Sequence, residues 1–267
     1  MNDIRIIDTH CHLDFKELKT RLDQVIKDAK INNVTDMVTI STNLSRIDQI
    51  KEISEKYEEV FFSVGVHPNE AHKDKQFDDY DFIKNYSKHV KCVGIGEGGL
   101  DYYYNKENMK LQKRSLETQI NVARSTNLPM IIHSRDADDD MIEMLKAEFK
   151  NGPFKAILHC FSSGEELAYC GLDLDFFISF SGILTFNSAK NIQKIAKNIP
   201  LSKILVETDS PYLAPSPVRG SVNEPKNCMH TAQFLSKLRD INFLELSKIL
   251  YDNSLTVYDK IKLWKDK

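Results

Sequence analysis

Two histidines one residue apart, His10 and His12 in the stretch DTHCHLD, are the first residues of this chain whose types and spacing could do chemistry. The run before them, Ile4 to Ile7, is apolar and β-branched around Arg5 and reads as a buried strand. Alternate side chains of a strand share a face, so Asp8, His10 and His12 are expected to point one way and Thr9 and Cys11 the other. Two imidazoles on one face at a strand end can grip one cation. A lone H-x-H also fits ordinary polar residues where a strand leaves the core, so other ligands must decide.

What must position such ligands is an alternation of strands and helices. Short β-branched runs fall at 4–9, 34–40, 60–66, 91–97, 128–133, 155–160, 174–180 and 203–208. Most are nearly continuous in apolar residues, as parallel strands covered on both faces are. Charged stretches with helical spacing lie between them. Leu116, Ile120 and Ala123 share one face, and Leu246, Ile249, Leu250 and Val257 another. Asn253 falls on that second face and reads as a satisfied structural amide. Eight strand–helix units in 267 residues predict an α/β fold, a TIM-type (β/α)8 barrel forming a single domain over 1–267, with a doubly wound open sheet as the alternative.

Barrel enzymes carry their chemistry at the C-terminal ends of strands, and the polar residues of this chain gather there. Strand one ends at His10 and His12, strand three at His67, and strand four at Glu97. Strand five ends at His133, strand six at His159, and strand eight at Asp209. Five of the eight histidines thus sit at strand ends; His72, His89 and His230 lie elsewhere. His10, His12, His133, His159, Glu97 and Asp209 suffice for two divalent cations. Imidazole with carboxylate suits zinc, manganese, iron or, with more water, magnesium.

The ordered set DTHCHLD, GVHP, GEGGLDYY, IIHSRDA, LHCFS, FSGILTF and ETDSPYLAP…RG…NEP resembles the TatD-like metal-dependent deoxyribonucleases of the amidohydrolase superfamily, from residue 4 to about 260. The resemblance implies a TIM barrel and two metals. His10, His12, Glu97 and Asp209 would surround the first, and Glu97 would bridge to a second held by His133 and His159. Two departures stand out. The family usually has isoleucine where this chain has Gly98, and basic residues around the segment that here reads SPVRGSVNEP, with Val218, Ser221 and Val222. Arg219, Asn223 and Pro225 are kept.

The function this implies is a divalent-metal-dependent hydrolase, a deoxyribonuclease of 3′–5′ exonuclease type. Asp209 is the expected general base and Glu97 the shared carboxylate. Arg135 and Arg219 are expected on phosphates and His67 on substrate or leaving group. Asp8 and Glu207 are expected to orient the histidines. The partner would be DNA, single-stranded or at strand ends, with no membrane and a monomeric protein. The competing readings are hydrolysis of an amide or ester, such as an aminoacyl-tRNA, on the same centre, and a non-enzymatic binding protein with an inherited metal site.

Composition agrees with these readings. The formal charge is −3 and no Lys/Arg block of the kind that holds nucleic acid occurs. The five cysteines form no C-x-x-C, which fits free thiols and a cytoplasmic protein, and the first residues show no signal-peptide core. GIGEGG, residues 94–99, matches a dinucleotide fingerprint in form, but LDYYYN after it does not start a helix, so the glycines are expected to bend the chain beside Glu97. The acidic run 136–140 is expected to open a helix. Cys11 and Cys160 are expected to face away from the site.

Overall fold

A computed structural model describes residues 4–266; residues 1–3 and 267 of the expected domain lie outside them. Eight parallel strands follow one another around the sheet in chain order: β1 Ile6–Cys11, β2 Val34–Thr39, β3 Val60–Val64, β4 Cys92–Asp101, β5 Met130–Arg135, β6 Ala156–Leu158, β7 Phe177–Phe180 and β8 Ile204–Val206. Helices alternate with them, so the architecture is the expected (β/α)8 barrel. Among the described residues no helix is long and apolar enough to cross a membrane.

Period-two alternation divides the strand residues between two cores. Val38, Ile40, Phe61, Val93, Ile131, Ile157, Phe177 and Leu205 fill the barrel. Their neighbours, among them Met37, Phe62, Cys92, Met130, Ile178 and Val206, pack outward with the helices. Leu116, Ile120 and Ala123 of the helix Met109–Thr126 belong to that outer core, as their spacing predicts. Near the C-terminus, Val257, Tyr258 and Ile261 join the inner cluster and close its floor. Asn253 donates to Leu201 O and Ile204 O, both at 2.8 Å, a satisfied structural amide.

The ring closes between β8 and β1 through the segment after β8. Cys11 bridges to Ser210, Asp209 N–H donates to His10 O at 2.9 Å, and His12 N–H donates to Ser210 O at 2.8 Å. The residues that shut the barrel are therefore the neighbours of the ones expected to do chemistry.

β4 runs four residues past its expected end. Gly96, at φ +125°, takes a conformation that suits glycine, and the pairing with β5 shifts register between Ile95 and Gly98. The strand continues to Asp101, so no helix starts after the GIGEGG run. Gly98 admits the buried amide of Gln119, which accepts from Val66 N–H at 3.1 Å and donates to Val66 O at 3.0 Å. A Cβ at position 98 would lie 2.5 Å from Gln119 Nε2 and 2.8 Å from Met130 Cε. A larger side chain at position 98 and this glutamine would compete for one space, and the glutamine pins the chain just before His67.

Replacing Gly98 by isoleucine should accordingly destabilise the protein by about 1–3 kcal/mol, the scale of overpacking. The midpoint of urea unfolding measures it. An unchanged midpoint would show that Gln119 is not held where β4 meets it.

Candidate metal centre

The strand ends bring His10, His12, His67, Glu97, His133, His159 and Asp209 to one mouth of the barrel. Glu97 lies at its centre. Its Oε2 is 2.8 Å from His159 Nε2, 3.7 Å from His10 Nε2 and 3.9 Å from His133 Nδ1, and its Oε1 is 3.6 Å from His12 Nε2. Asp209 Oδ1 stands 3.3 Å from His12 Nε2 and 3.6 Å from His10 Nε2. Three overlapping groups have ligand atoms within 4.8 Å of one another: His10, His12 and Asp209; His10, Glu97 and His159; and His67, Glu97 and His133. All six expected ligands thus meet, with His67 added to them.

Three of the rings have an oxygen behind the nitrogen that faces away from Glu97 or Asp209. His12 Nδ1 is 3.3 Å from Ile40 O, His133 Nε2 is 3.3 Å from Asp101 Oδ2, and His159 Nδ1 is 3.3 Å from Glu207 Oε1. A ring that donates outward presents its lone pair inward, which is how metal-binding imidazoles are oriented. His10 is fully buried, and neither of its ring nitrogens has a hydrogen-bond partner among the described residues. Buried polar atoms are rarely left so, and a cation beside Nε2 would supply the missing partner. The residues present therefore fit a divalent metal.

The electrostatics follow from burial and crowding. Burial works against the charge on Glu97, but the surrounding imidazoles, His67 and His159 first, hold its carboxyl well below the usual carboxylate range. Burial also opposes charge on His12 and His159. For His12 the hydrogen bond to Asp209 and the field of Glu97 prevail and push it up to about 9, and Glu97 and Glu207 likewise push His159 up. His10 and His67 go the other way, both lowered chiefly by burial, His67 to about 4.

The remaining expected residues divide. Glu207 sits behind His159, and its Oε1 also accepts from Cys160 N–H at 2.7 Å. Asp8 corrects the expectation: its carboxyl accepts from Thr208 N–H at 2.8 Å and from the Thr208 hydroxyl at 2.6 Å, not from an imidazole. The register of β1 against β2 shifts between Asp8 and Cys11, which breaks the simple alternation. Asp8 fastens the barrel seam instead. Arg135 lines the cleft of about 520 Å³ over the site. Arg219 does not; it is exposed, with its guanidinium 4.0 Å from the ring centre of Phe186. Cys11 is buried in the outer core. Cys160 has left-handed backbone, its thiol rests 3.2 Å from Ser181 Oγ, and burial pushes that thiol well up, away from nucleophilic thiolate. The acidic run does open a helix, Asp138–Lys150.

Two residues with no role expected from sequence hold the site together. Asp101 accepts from Asn69 Nδ2 at 2.9 Å and from the N–H groups of Tyr103 and Tyr104, and backs His133. Burial opposes its charge, but these hydrogen bonds, His133 first, hold it below the ordinary range. The aspartate followed by two or three residues with free N–H groups was the available signal. Asn223 donates to Thr208 O at 3.0 Å and Tyr212 O at 2.7 Å, clasping the turn that bears Asp209.

The sequence profile of the family described as "TatD related DNase" matches residues 7–259. An uncharacterized metal-dependent hydrolase of Bacillus subtilis, YabD, is 36% identical over 95% of this chain and 98% of its own. The uncharacterized metal-dependent hydrolase YcfH of Escherichia coli is 37% identical over 93% of each. The crystal structure of YJJV, a TatD homologue from Escherichia coli, superposes with a TM-score of 0.89 at 25% identity, over 96% of this chain and 98% of that one. With a family profile spanning nearly the whole chain and relatives this similar from end to end, the protein belongs to the TatD related DNase family.

Proposed function

We propose that this protein is a metal-dependent hydrolase that cleaves DNA phosphodiesters by two-metal catalysis, working from the ends of single strands in the 3′–5′ direction as a monomer. The observation that carries the reading is the convergence of four imidazoles, Glu97 and Asp209 under a cleft whose one Lys or Arg side chain, among the described residues, is Arg135. That guanidinium lies against the Tyr103 and Tyr104 rings and has no ion pair among those residues, which leaves its N–H groups for a phosphate. A cleft of about 520 Å³ is of small-ligand size, which suits a strand end better than a duplex.

His10, His12, Glu97 and Asp209 would hold one cation, and Glu97, His133 and His159 the other. Cations bound there supply Lewis acidity, acidifying water and neutralising charge on a phosphoryl oxygen. Asp209 is the more solvent-accessible of the two inward carboxylates, its side chain 16% exposed against 3% for Glu97, and takes the proton of the attacking water. His67 Nδ1 accepts from Asn69 N–H at 3.0 Å. Burial lowers that ring to about 4, so it is neutral at pH 7; its hydrogen lies on Nε2 and is offered as a hydrogen bond to a substrate oxygen. Arg135 orients the phosphate.

Three outcomes test this. His10→Ala or His12→Ala should lower occupancy of the first site, and His133→Ala or His159→Ala should mainly empty the second; elemental analysis with equal metal in all four variants would overturn the ligand assignment. Asp209→Asn should fold, retain some metal and lose at least about 10²-fold in turnover on single-stranded DNA, the scale of a general base. Turnover near wild type would remove Asp209 from that role.

The third concerns protons. His12 lies above the usual imidazole value, so at pH 7 its metal-free ring carries a proton that a cation must displace, and His159 is raised in the same direction. Metal affinity should rise with pH until it passes about 9, the value for His12. Calorimetric titration with Mn²⁺ or Zn²⁺ at pH 7 in buffers of different ionisation enthalpy should show net proton release. Heats independent of buffer would contradict it.

A further inference from the structure

Exposed tyrosines flank the cleft on both sides. Tyr103 is 58% exposed, Tyr104 65% and Tyr212 55%. Tyr104, Tyr212 and Phe15 line the cleft itself. On one lip, the Tyr103 and Tyr104 rings meet edge to face at 4.7 Å, and the Arg135 guanidinium lies 4.1 Å and 4.7 Å from their centres. On the other lip Tyr212 meets Phe15 edge to face at 6.0 Å, and Phe15 stacks on His12 at 4.8 Å. Large rings left in water at a cleft are a binding feature more often than a packing one.

Both lips are tied to the centre through the backbone. Tyr103 and Tyr104 donate their N–H groups to Asp101 Oδ1 at 3.1 Å and 3.0 Å, the carboxylate that backs His133. Tyr102 N–H donates to Arg135 O at 2.9 Å. Tyr212 N–H donates to Asp209 O at 3.0 Å, and Tyr212 O accepts from Asn223. The backbone that carries the rings is therefore fixed before anything binds, which reduces the ordering cost of binding.

We propose that Tyr104 with Tyr103 on one lip, and Tyr212 with Phe15 on the other, form a stacking clamp for the unpaired nucleobases on either side of the phosphate held at the metal centre. This rests on the phosphodiesterase reading and adds to it the residues that select single strands. Unpaired bases offer two open faces, and stacking on aromatic side chains binds them without regard to sequence. Paired bases inside a duplex offer none. The clamp supplies the attraction that a chain of net charge −3 does not supply through a basic track.

The test compares two single-stranded oligodeoxynucleotides of equal length and charge, one with its bases and one with abasic residues at the terminal positions, cleaved by the metal-loaded protein. Wild type should favour the base-bearing strand. Tyr104→Ala and Tyr212→Ala should each lower the ratio of kcat/KM between the two strands by about 5- to 150-fold, the range for one lost base stack. Tyr104→Phe and Tyr212→Phe, which keep the ring, should preserve it. A wild type that cleaves both strands equally, or alanine variants that keep the preference, would overturn the clamp alone. A wild type that cleaves neither strand would overturn the phosphodiesterase reading and the clamp with it.

Discussion

A carboxylate buried at the mouth of the barrel is the constraint that organises this protein. Glu97 cannot keep its charge there without compensation, because moving an ion out of water costs several kcal/mol even after relaxation. Its partners come from four other strands, and each of those strands must end at the right height to deliver an imidazole. Two serines fix the backbone of β4 around it: Glu97 N–H donates to Ser41 O at 3.0 Å, and Ser63 Oγ donates to Gly96 O at 2.6 Å. Ser41 in turn donates from its hydroxyl to Gly65 O. β2, β3 and β4 are thereby linked by side-chain bonds where their ladder ends.

Behind the imidazoles stands a second ring of oxygens: Ile40 O, Asp101 and Glu207. These do more than aim the rings. Asp101 also anchors the turn that carries Tyr103 and Tyr104, and Glu207 also receives Cys160 N–H. The loops after β4 and β6 are consequently attached to the centre they surround. The seam repeats the pattern on the opposite side, where Asp8 receives Thr208 and Asn223 clasps the turn of Asp209. Burial pushes the Asp8 carboxyl up to about 8, the two Thr208 bonds opposing, which suits a group that serves closure and stays out of the ionic cluster.

The strands were legible because parallel strands buried on both faces must be apolar almost throughout, and helices cannot hide that run. Their ends were less so. β4 passes through two glycines to Asp101, where composition suggests a bend, and β1 shifts register inside the H-x-H stretch, so face assignment by alternation failed for Asp8. The residues that meet at the mouth were readable because histidines at strand ends are unusual residues in unusual places. Gln119, Asp101 and Asn223 were not, since an amide or carboxylate acting through backbone groups resembles any other polar residue until the fold brings its partners near. Arg219 shows the converse: a motif residue whose guanidinium lies on Phe186, away from the cleft.

The floor of the barrel is made by the last turns of the chain. Val257, Tyr258 and Ile261 fill the inner cluster from below, and Tyr258 donates its hydroxyl to Thr9 O at 3.1 Å. Lys260 donates to Ser87 O and His89 O, and buried Lys91 reaches Ser54 O and Tyr57 O beneath the Trp264 ring. The inner faces of β1 to β8 are thus covered from below by a segment that follows β8 by about fifty residues, so the barrel interior depends on a long-range contact rather than on its strands alone. Any chain lacking that segment would present the apolar inner faces of its strands to whatever surrounds it.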